Sequence, residues 1–428
     1  MREVGYGLPL SRLGCLTLTE EKEKAWFLRL NTNELYEFDR INNNAKVLKR
    51  FTEEPLAEGI LYLPIEKMGN ILILGPGTAS HVAFYNLADG ECEYIELVQV
   101  RNDRKIKYTG AWDFYKSYTY ENCVYLFGYE YPAILKIDMG TREVVYLTDW
   151  VVEVEKKISK TGVSMGYVSD YVAVGNFVWA LCECVNIVLR LDLWTDKIEV
   201  MDICSALDIQ CGICFDGNFW VAGNNQYSNK ILKYDNHFVL EKEIEIYSAK
   251  DSDEAYNFLL EEYYWAIYPV IDLGEKLLLF SAYPCHVYEF DKESDQVRIH
   301  PLFEELIKEK DERFHSLKIL APRRRGNFIC FVTGNDFMWN EYDFVHNTLN
   351  QYEVRMECDE EYLQERSKVL VGKIIAEDDF VRELEYKLTL SRFLDHTTYV
   401  SLNETTVLEK DNNMNIRNHK ECWEALDI

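Results

Sequence analysis

The sequence predicts an all-β fold: a seven-bladed β-propeller of four-stranded antiparallel blades, followed by a C-terminal helical extension. A first observation is a local pattern, clearest at 175–192, of tight turn, apolar strand, loop and second strand ending in Asp. A second is that this pattern recurs seven times with a mean repeat of roughly 50 residues, a period typical of propellers and other arrays. A third is the high aromatic content, led by 29 Tyr, which favours strands.

The seven copies share nearly constant internal spacing. From the second residue of the turn to the closing Asp or Asn the distance is 16 residues, as from Asn176 to Asp192, except in the copy that begins at Asn218, where it is 17. The closing residues are Asp39, Asn86, Asp138, Asp192, Asp235, Asp291 and Asp343. Seven copies in one register indicate a repeat architecture.

The first unit shows the four strands of one blade. An alternating stretch covers 15–18, an apolar strand follows at 26–30, a third strand covers 35–39 and a fourth covers 46–48. Because such a sheet exposes two apolar faces, the units must stack on one another. A parallel β-helix is the rival repeat fold, but its repeats are shorter and lack hairpin turns within each coil.

Turn chemistry and packing explain the recurring residues. Asp and Asn close turns by bonding to their own backbone, and Gly supplies a positive φ. We therefore interpret the closing residues as structural. The aromatics that follow the first turn are predicted to pack between adjacent blades; they are Trp26, Tyr125, Trp179 and Trp220.

The second and third strands resemble those of Kelch and related seven-bladed propellers. The likeness is carried by Val124–Gly128 leading to Ile134–Asp138, and by Phe219-Trp220 leading to Asp235. The Gly-Gly doublet of Kelch is missing from all seven units. The Trp-Asp dipeptide of WD40 repeats occurs once, at 112–113. The resemblance implies an architecture and no particular activity.

Residues 1–356 are predicted to form the propeller, with blades ending near 50, 98, 148, 203, 246, 301 and 356. The connections between blades are uneven, with insertions at 98–109, 149–165, 247–262 and 302–314. We expect helical turns at Asp251–Tyr263 and Phe303–Arg313. In a propeller these connections emerge on the same face as the loops between second and third strands, so any binding site is expected on that face.

The repeat pattern stops at about 357, and residues 357–428 are predicted to be a partly helical extension. Asp379–Thr397 has the apolar stripe of an amphipathic helix, and a second short helix is expected at Cys422–Leu426. We expect the extension to dock on the propeller. An arm that binds a partner is the alternative.

Composition limits the function classes. A formal charge of −27 without a long basic run makes nucleic-acid binding improbable, because phosphate contacts need clustered Lys and Arg. No secretory signal and no stretch of about 18 apolar residues are visible, so no membrane insertion is expected. The 12 scattered Cys are typical of buried thiols in a reducing cytosol, so a cytoplasmic location is predicted.

No catalytic set, metal site or cofactor is predicted. The tightest cysteine cluster has a single CxxC motif and lacks the second pair that a zinc finger needs. Its members are Cys182, Cys184, Cys204, Cys211 and Cys214. His81 and His286 occupy equivalent positions before the third strand, but neither has a nearby nucleophile with an orienting acid.

The candidate binding residues are aromatic and polar side chains in or near the loops of the predicted binding face. They are Trp112, Asp113, Tyr131, Tyr227, Tyr264, Trp265, Tyr283, His286, Asp336 and Trp339. Tyr and Trp suit protein hot spots and stacking on sugars. We therefore predict a non-catalytic platform for a protein or peptide. The alternative is a propeller enzyme or carbohydrate-binding protein that uses Asp113, His286 or Asp336 at the channel mouth.

Overall fold

The described part of the chain forms seven sheets, each built on four consecutive antiparallel strands, which confirms the predicted seven-bladed β-propeller. The structure is a computed structural model. It describes residues 13–29, 32–52, 60–98, 112–161, 166–183, 185–203, 207, 209–225, 228–248, 267–281, 286–307, 319–334, 337–363 and 365–366. In each blade the strands are called A to D, with A innermost.

The blades follow one another along the chain. Blades one to four comprise β1 Leu18–Glu20, β2 Lys24–Arg29, β3 Glu34–Asp39, β4 Asn44–Arg50, β5 Tyr62–Met68, β6 Ile71–Pro76, β7 His81–Asn86, β8 Cys92–Glu96, β9 Phe114–Tyr120, β10 Cys123–Gly128, β11 Ile134–Asp138, β12 Val144–Leu147, β13 Val168–Val174, β14 Phe177–Cys182, β15 Ile187–Asp192 and β16 Ile198–Asp202. Blades five to seven comprise β17 Ile209–Phe215, β18 Phe219–Asn225, β19 Ser228–Tyr234, β20 Leu240–Ser248, β21 Ile267–Asp272, β22 Lys276–Ser281, β23 Val287–Asp291, β24 Val297–Ile299, β25 Ile319–Arg325, β26 Phe328–Thr333, β27 Trp339–Asp343 and β28 Thr348–Tyr352.

The closing residue of each third strand holds the turn that follows it. The side chain of Asp192 accepts the N–H groups of Trp194 at 2.9 Å and Thr195 at 3.3 Å. The same side-chain-to-backbone bond is made by Asp39, Asn86, Asp138, Asp235, Asp291 and Asp343. The A–B turn uses a positive φ, which is 60° at Gly175. The predicted turn chemistry is therefore confirmed.

The core lies between neighbouring blades. Trp179 of blade four is 5.0 Å from the ring of Phe219 in blade five, and Trp220 of blade five is 5.4 Å from Phe290 in blade six. Trp26 lies in one apolar cluster with residues of blade two. The predicted role of these aromatics as inter-blade packing is confirmed.

Blade seven closes the ring against blade one. Trp339 meets Phe38 edge to face at 5.5 Å, within a cluster that joins both blades. Glu20 of β1 forms ion pairs with Arg323 at 3.3 Å and Arg325 at 3.5 Å. A short strand, β29 (Arg355–Met356), then adds to the outer edge of β4 in parallel.

Among the residues that the structure describes, two helices lie in the connections between blades. α1 (Val151–Thr161) was not predicted, whereas α2 (Pro301–Ile307) overlaps the predicted Phe303–Arg313. Residues 360–363 and 365–366 are also helical. Within the described ranges no helix is long and apolar enough to cross a membrane. The predicted helices Asp251–Tyr263, Asp379–Thr397 and Cys422–Leu426 lie outside the described residues.

Candidate functional site at the loop-face mouth of the channel

The two ends of the propeller differ in their connections. Because the strands alternate in direction, A–B and C–D turns emerge on one face, which we call the turn face, and B–C loops and D–A connections emerge on the other, the loop face. Each A–B or C–D turn spans only a few residues, as at 175–176 and 193–197. The D–A connections 97–113, 148–167, 249–266 and 300–318 are long. The candidate site is therefore the mouth of the channel on the loop face.

Backbone hydrogen bonds between blades fix the rim of this mouth. In three successive blades the acceptor is the residue directly after strand B, and the donor lies at the start of strand A in the next blade. The bonds run from the N–H of Asp113 to the C=O of Gly77 (2.7 Å), from Tyr167 to Tyr129 (2.6 Å) and from Gln210 to Glu183 (2.8 Å). The rim of blades two to five is thus held by groups that no side-chain change removes.

Trp112 is the predicted site residue that stays partly exposed at this rim. Its ring stacks on Tyr115 at 5.6 Å with an interplanar angle of 20°, and lies 6.2 Å from Tyr129. The ammonium of Lys116 lies 5.0 Å from the centre of the Tyr115 ring, on which a cation is favourable. The indole is therefore held in place and remains partly exposed.

Three other predicted residues are buried. Asp113 and Tyr131 are each 3% exposed and Trp339 is 2% exposed. The hydroxyl of Tyr131 donates to the C=O of Val98 at 2.6 Å. Trp339 opens β27 and belongs to the closure between blades seven and one. All three residues adjoin loops in the sequence, and that position does not reveal that their side chains point into the core.

His286 lies in blade six, directly before β23. Its ring packs edge-on against Tyr288 at 5.8 Å, and its C=O accepts the N–H of Ser281 at 2.9 Å. Asp113 belongs to blade three, three blades away along the ring. The remaining predicted residues lie outside the described residues; they are Tyr227, Tyr264, Trp265, Tyr283 and Asp336.

Two buried carboxyl groups beside the rim were missed by sequence reasoning. Glu130 is 2% exposed and Glu183 is 1% exposed, and Oε2 of Glu183 accepts the N–H of Gly166 at 3.1 Å. A Cβ on Gly166 would lie 2.2 Å from the ring of Tyr129, so only glycine permits this close approach. The sequence does carry a signal for these two carboxyl groups, because an acidic residue follows the apolar second strand in blades three and four.

The wall of the channel carries a second polar set that was also missed. The hydroxyl of Ser117 donates to Glu66 at 2.9 Å, and burial raises the pKa of this carboxyl to about 7, although Arg323 opposes the shift. Lys116 forms an ion pair with Oδ1 of Asp170 at 2.9 Å. These groups lie on the innermost strands, A, of blades two to four and seven.

The cysteine cluster offers no evidence for a metal centre. Cys182 and Cys211 are fully buried, and burial raises the pKa of the Cys182 thiol far above its ordinary value. Cys184 and Cys204 lie outside the described residues. In the described ranges, no three His, Cys, Asp or Glu side chains converge as metal ligands would.

The turn face carries two features that the sequence did not indicate. A cavity of about 220 Å³ between blades five and six is lined by Asp216, Asn218, Trp220, Lys233, Lys242, Lys292 and Asp295. Its lysines are engaged in ion pairs, as in the contact of Lys292 with Asp272 at 2.7 Å. Trp194 is 70% exposed, and its indole N–H donates to the hydroxyl of Tyr120 at 2.9 Å.

Comparisons with known proteins identify the fold and no family. No family model matches the chain, and no curated protein matches it. Among solved structures it is similar to virginiamycin B lyase from Staphylococcus aureus, with a TM-score of 0.53 and 12% identity over 76% of this chain and 93% of that one.

It is also similar to a streptogramin B lyase, with a TM-score of 0.52 and 11% identity over 81% of this chain and 96% of that one. A third similar structure is the β-propeller domain of Cps50 (Swd1) from Myceliophteria thermophila. Its TM-score is 0.50 and its identity 10%, over 78% of this chain and 97% of that one. At such low identity the likeness establishes the propeller fold alone.

Proposed function

We propose that the protein is a non-catalytic platform that recognises a protein or peptide partner through its loop face. The observation that carries the proposal is the contrast between the two faces. The turn face repeats short turns of nearly constant length, whereas the D–A connections on the loop face differ in length from blade to blade. In repeat proteins, insertions confined to one face commonly form the binding surface.

The geometry of the rim supports this proposal. Backbone bonds between blades preorganise the mouth, so little conformational entropy is lost when a partner binds. Trp112 supplies a partly exposed indole held between Tyr115 and Tyr129. A fixed tryptophan beside a concave opening is the type of residue that carries binding energy in protein interfaces.

Charge favours a basic or neutral partner. The chain carries a formal charge of −27, and the carboxyl groups of Asp113, Glu130 and Glu183 lie beside the rim. Complementary charge speeds encounter and excludes acidic partners. Binding of a basic partner is therefore expected to weaken with added salt.

The test compares an indole on each face. The full chain is immobilised and exposed to extract from its source cells, captured proteins are identified, and each is purified and titrated against Trp112→Ala and Trp194→Ala. We expect Trp112→Ala to weaken the affinity for the specific partner by about thirtyfold or more, as for a hot-spot residue. Trp194→Ala is the matched control, because it removes an exposed indole from the opposite face.

Two outcomes would overturn the proposal. One is that Trp112→Ala binds every captured protein with unchanged affinity. The other is that Trp194→Ala, rather than Trp112→Ala, loses the partner, which would move the site to the turn face. The circular dichroism spectrum and melting temperature of both variants must match those of the original protein for either comparison to count.

The alternative is a propeller enzyme or carbohydrate-binding protein with its site at the channel. One observation favours it: the Glu66 carboxyl has a pKa of about 7 and a hydroxyl neighbour, Ser117, in the channel wall. Titratable groups with shifted pKa values occur frequently at catalytic sites. Oligosaccharide binding that Glu66→Gln abolishes, while captured proteins still bind, would favour this alternative over the platform.

A further inference from the structure

The chain leaves blade seven directly onto the outer edge of blade one. The last strand of blade seven, β28, is followed after 353–354 by β29, which pairs with β4 in parallel. The N–H of Arg355 donates to the C=O of Asn43 at 2.9 Å, and that of Glu357 donates to Ala45 at 2.8 Å. A covalent segment thus joins the first and last blades from outside the ring.

The ladder itself is short, so side chains must hold this segment. Only Arg355 and Met356 pair with β4, and two residue pairs are marginal in water. The carboxylate of Glu357 accepts the next edge N–H, that of Val47, at 3.2 Å. The hydroxyl of Tyr36 donates to the C=O of Glu357 at 2.9 Å.

Arg50, the last residue of β4, contacts the segment through both an ion pair and a ring. Its guanidinium donates to Asp359 at 2.9 Å and to Glu34 at 2.9 Å, and lies 4.4 Å from the ring centre of Tyr362. Asp359 also accepts the N–H of Tyr362 at 3.1 Å and so begins the helical turn there. One side chain therefore links the ion pair, the ring and the turn.

The segment ends on the loop-face end of blade one. The hydroxyl of Tyr362 donates to the C=O of Thr32, which lies in the B–C loop. Leu363 is 5% exposed and Arg366 is fully buried. Beneath them Arg29 and Glu34 form a buried ion pair at 3.3 Å. Residues 357–363 and 365–366 therefore pack as part of the propeller.

We propose that residues 355–363 and 365–366 form a strap that closes the ring, and that Arg50 is the side chain to which the strap is fastened. All four antiparallel strands of blade one, β1 to β4, come from the N-terminal part of the chain, and β29 of the strap adds to the outer edge of that sheet. Opening the strap frees the edge of β4 and the loop-face end of blade one together.

The test measures local opening in the full chain by hydrogen exchange. In Arg50→Ala we expect amide exchange at 44–50 and 355–363 to accelerate by about tenfold, the size of effect typical of a lost charge-assisted hydrogen bond. Exchange in blades three to five stays unchanged. The matched control is Arg142→Ala, which also removes an arginine that stacks on a ring, Phe84 at 4.7 Å, and pairs with a carboxylate.

A second variant covers the case in which Arg50→Ala does not fold. Asp359→Asn keeps the acceptor for Tyr362 but removes the charge that pairs with Arg50, and it should accelerate exchange in the same two segments. Unchanged exchange at 44–50 and 355–363 in the folded variants would overturn the proposal. Equal acceleration in Arg142→Ala would do so too, because the effect would then not be specific to the strap.

Discussion

Trp339 of blade seven meets Phe38 of blade one edge to face, with their ring centres 5.5 Å apart, where the ring closes. Both residues are almost fully buried in the cluster shared by the two blades. The first and last blades are therefore joined by a packed aromatic contact as well as by the strap.

Replacing Trp339 with alanine should strongly destabilise the protein. Truncating a buried aromatic side chain leaves a cavity and costs about 3–5 kcal/mol of unfolding free energy. Trp194→Ala is the control, because Trp194 is 70% exposed and surface substitutions stay within about 0.5 kcal/mol. Urea unfolding of both variants measures the difference, and equal midpoints would contradict the packing role.

Acid should weaken the turns that close the third strands. Hydrogen bonds from backbone N–H groups lower the pKa of Asp138, and the same type of bond is the largest cause of the lowered pKa of Asp192. A lowered folded-state pKa gives stability that is complete above the unfolded-state value of about 3.9 and is lost as pH falls through the folded-state value. We expect the melting temperature to drop steeply below about pH 4, where these groups protonate.

A single substitution isolates this effect in one turn. The third strand of blade two ends at Asn86 in place of Asp. The uncharged side-chain oxygen of Asn86 accepts the N–H of Ala88 at 3.0 Å. Asp138→Asn should therefore keep the turn at pH 7 and lose less stability than the original protein between pH 5 and pH 3. A pH profile that is the same for the variant would show that this carboxylate contributes nothing.

The opposite pH dependence is expected from Glu66. Burial raises the pKa of this carboxyl to about 7, so the folded state binds the proton more tightly than the unfolded state. Its contribution is present at low pH and is lost as pH rises through about 7. Glu66→Gln, whose amide oxygen can still accept from Ser117, should match the original protein at about pH 4, below the unfolded-state pKa of about 4.3, and melt at a higher temperature at pH 8. A lower melting temperature at pH 8 would contradict the assignment.

The repeat made the propeller predictable from sequence, because each blade restates the same local chemistry. Gly175 and Asp192 are turn residues in any such unit, and Trp179 and Trp220 follow the turn at corresponding places. Local hydrogen bonds and the alternation of apolar and polar residues therefore predicted the blade, its turns and its inter-blade packing. Which connections lie on the loop face followed from strand direction alone.

The site was less predictable because it depends on contacts between distant segments. The pair formed by Glu66 and Ser117 joins residues of different blades, and alternation does not reveal which strand-A side chains face the channel. The sequence predicts Trp339 in or near a loop of the binding face, whereas it begins a strand and is buried. The strap has only two paired residues, too few for any periodic signal.

The last prediction concerns Asp170, which links three blades at the channel wall. Its Oδ1 pairs with Lys116 of blade three at 2.9 Å, and its Oδ2 accepts the N–H of Ile213 in blade five at 3.2 Å. Burial alone would lower the pKa of Lys116, but the charge of Asp170 outweighs it and raises that pKa. The ammonium is therefore charged, and Asp170 is the carboxylate with which it pairs.

Removing one partner should cost more than removing both. Asp170→Asn leaves the Lys116 charge without its counterion in the channel wall, and we expect a loss of about 3 kcal/mol, as for a broken buried pair. In Lys116→Met with Asp170→Asn no charge is left unpaired, so the double variant should be more stable than Asp170→Asn alone. Urea unfolding of the two single variants and the double variant gives the coupling free energy directly. Additive losses would mean that the two groups do not interact and that Asp170 acts only through its bond to Ile213.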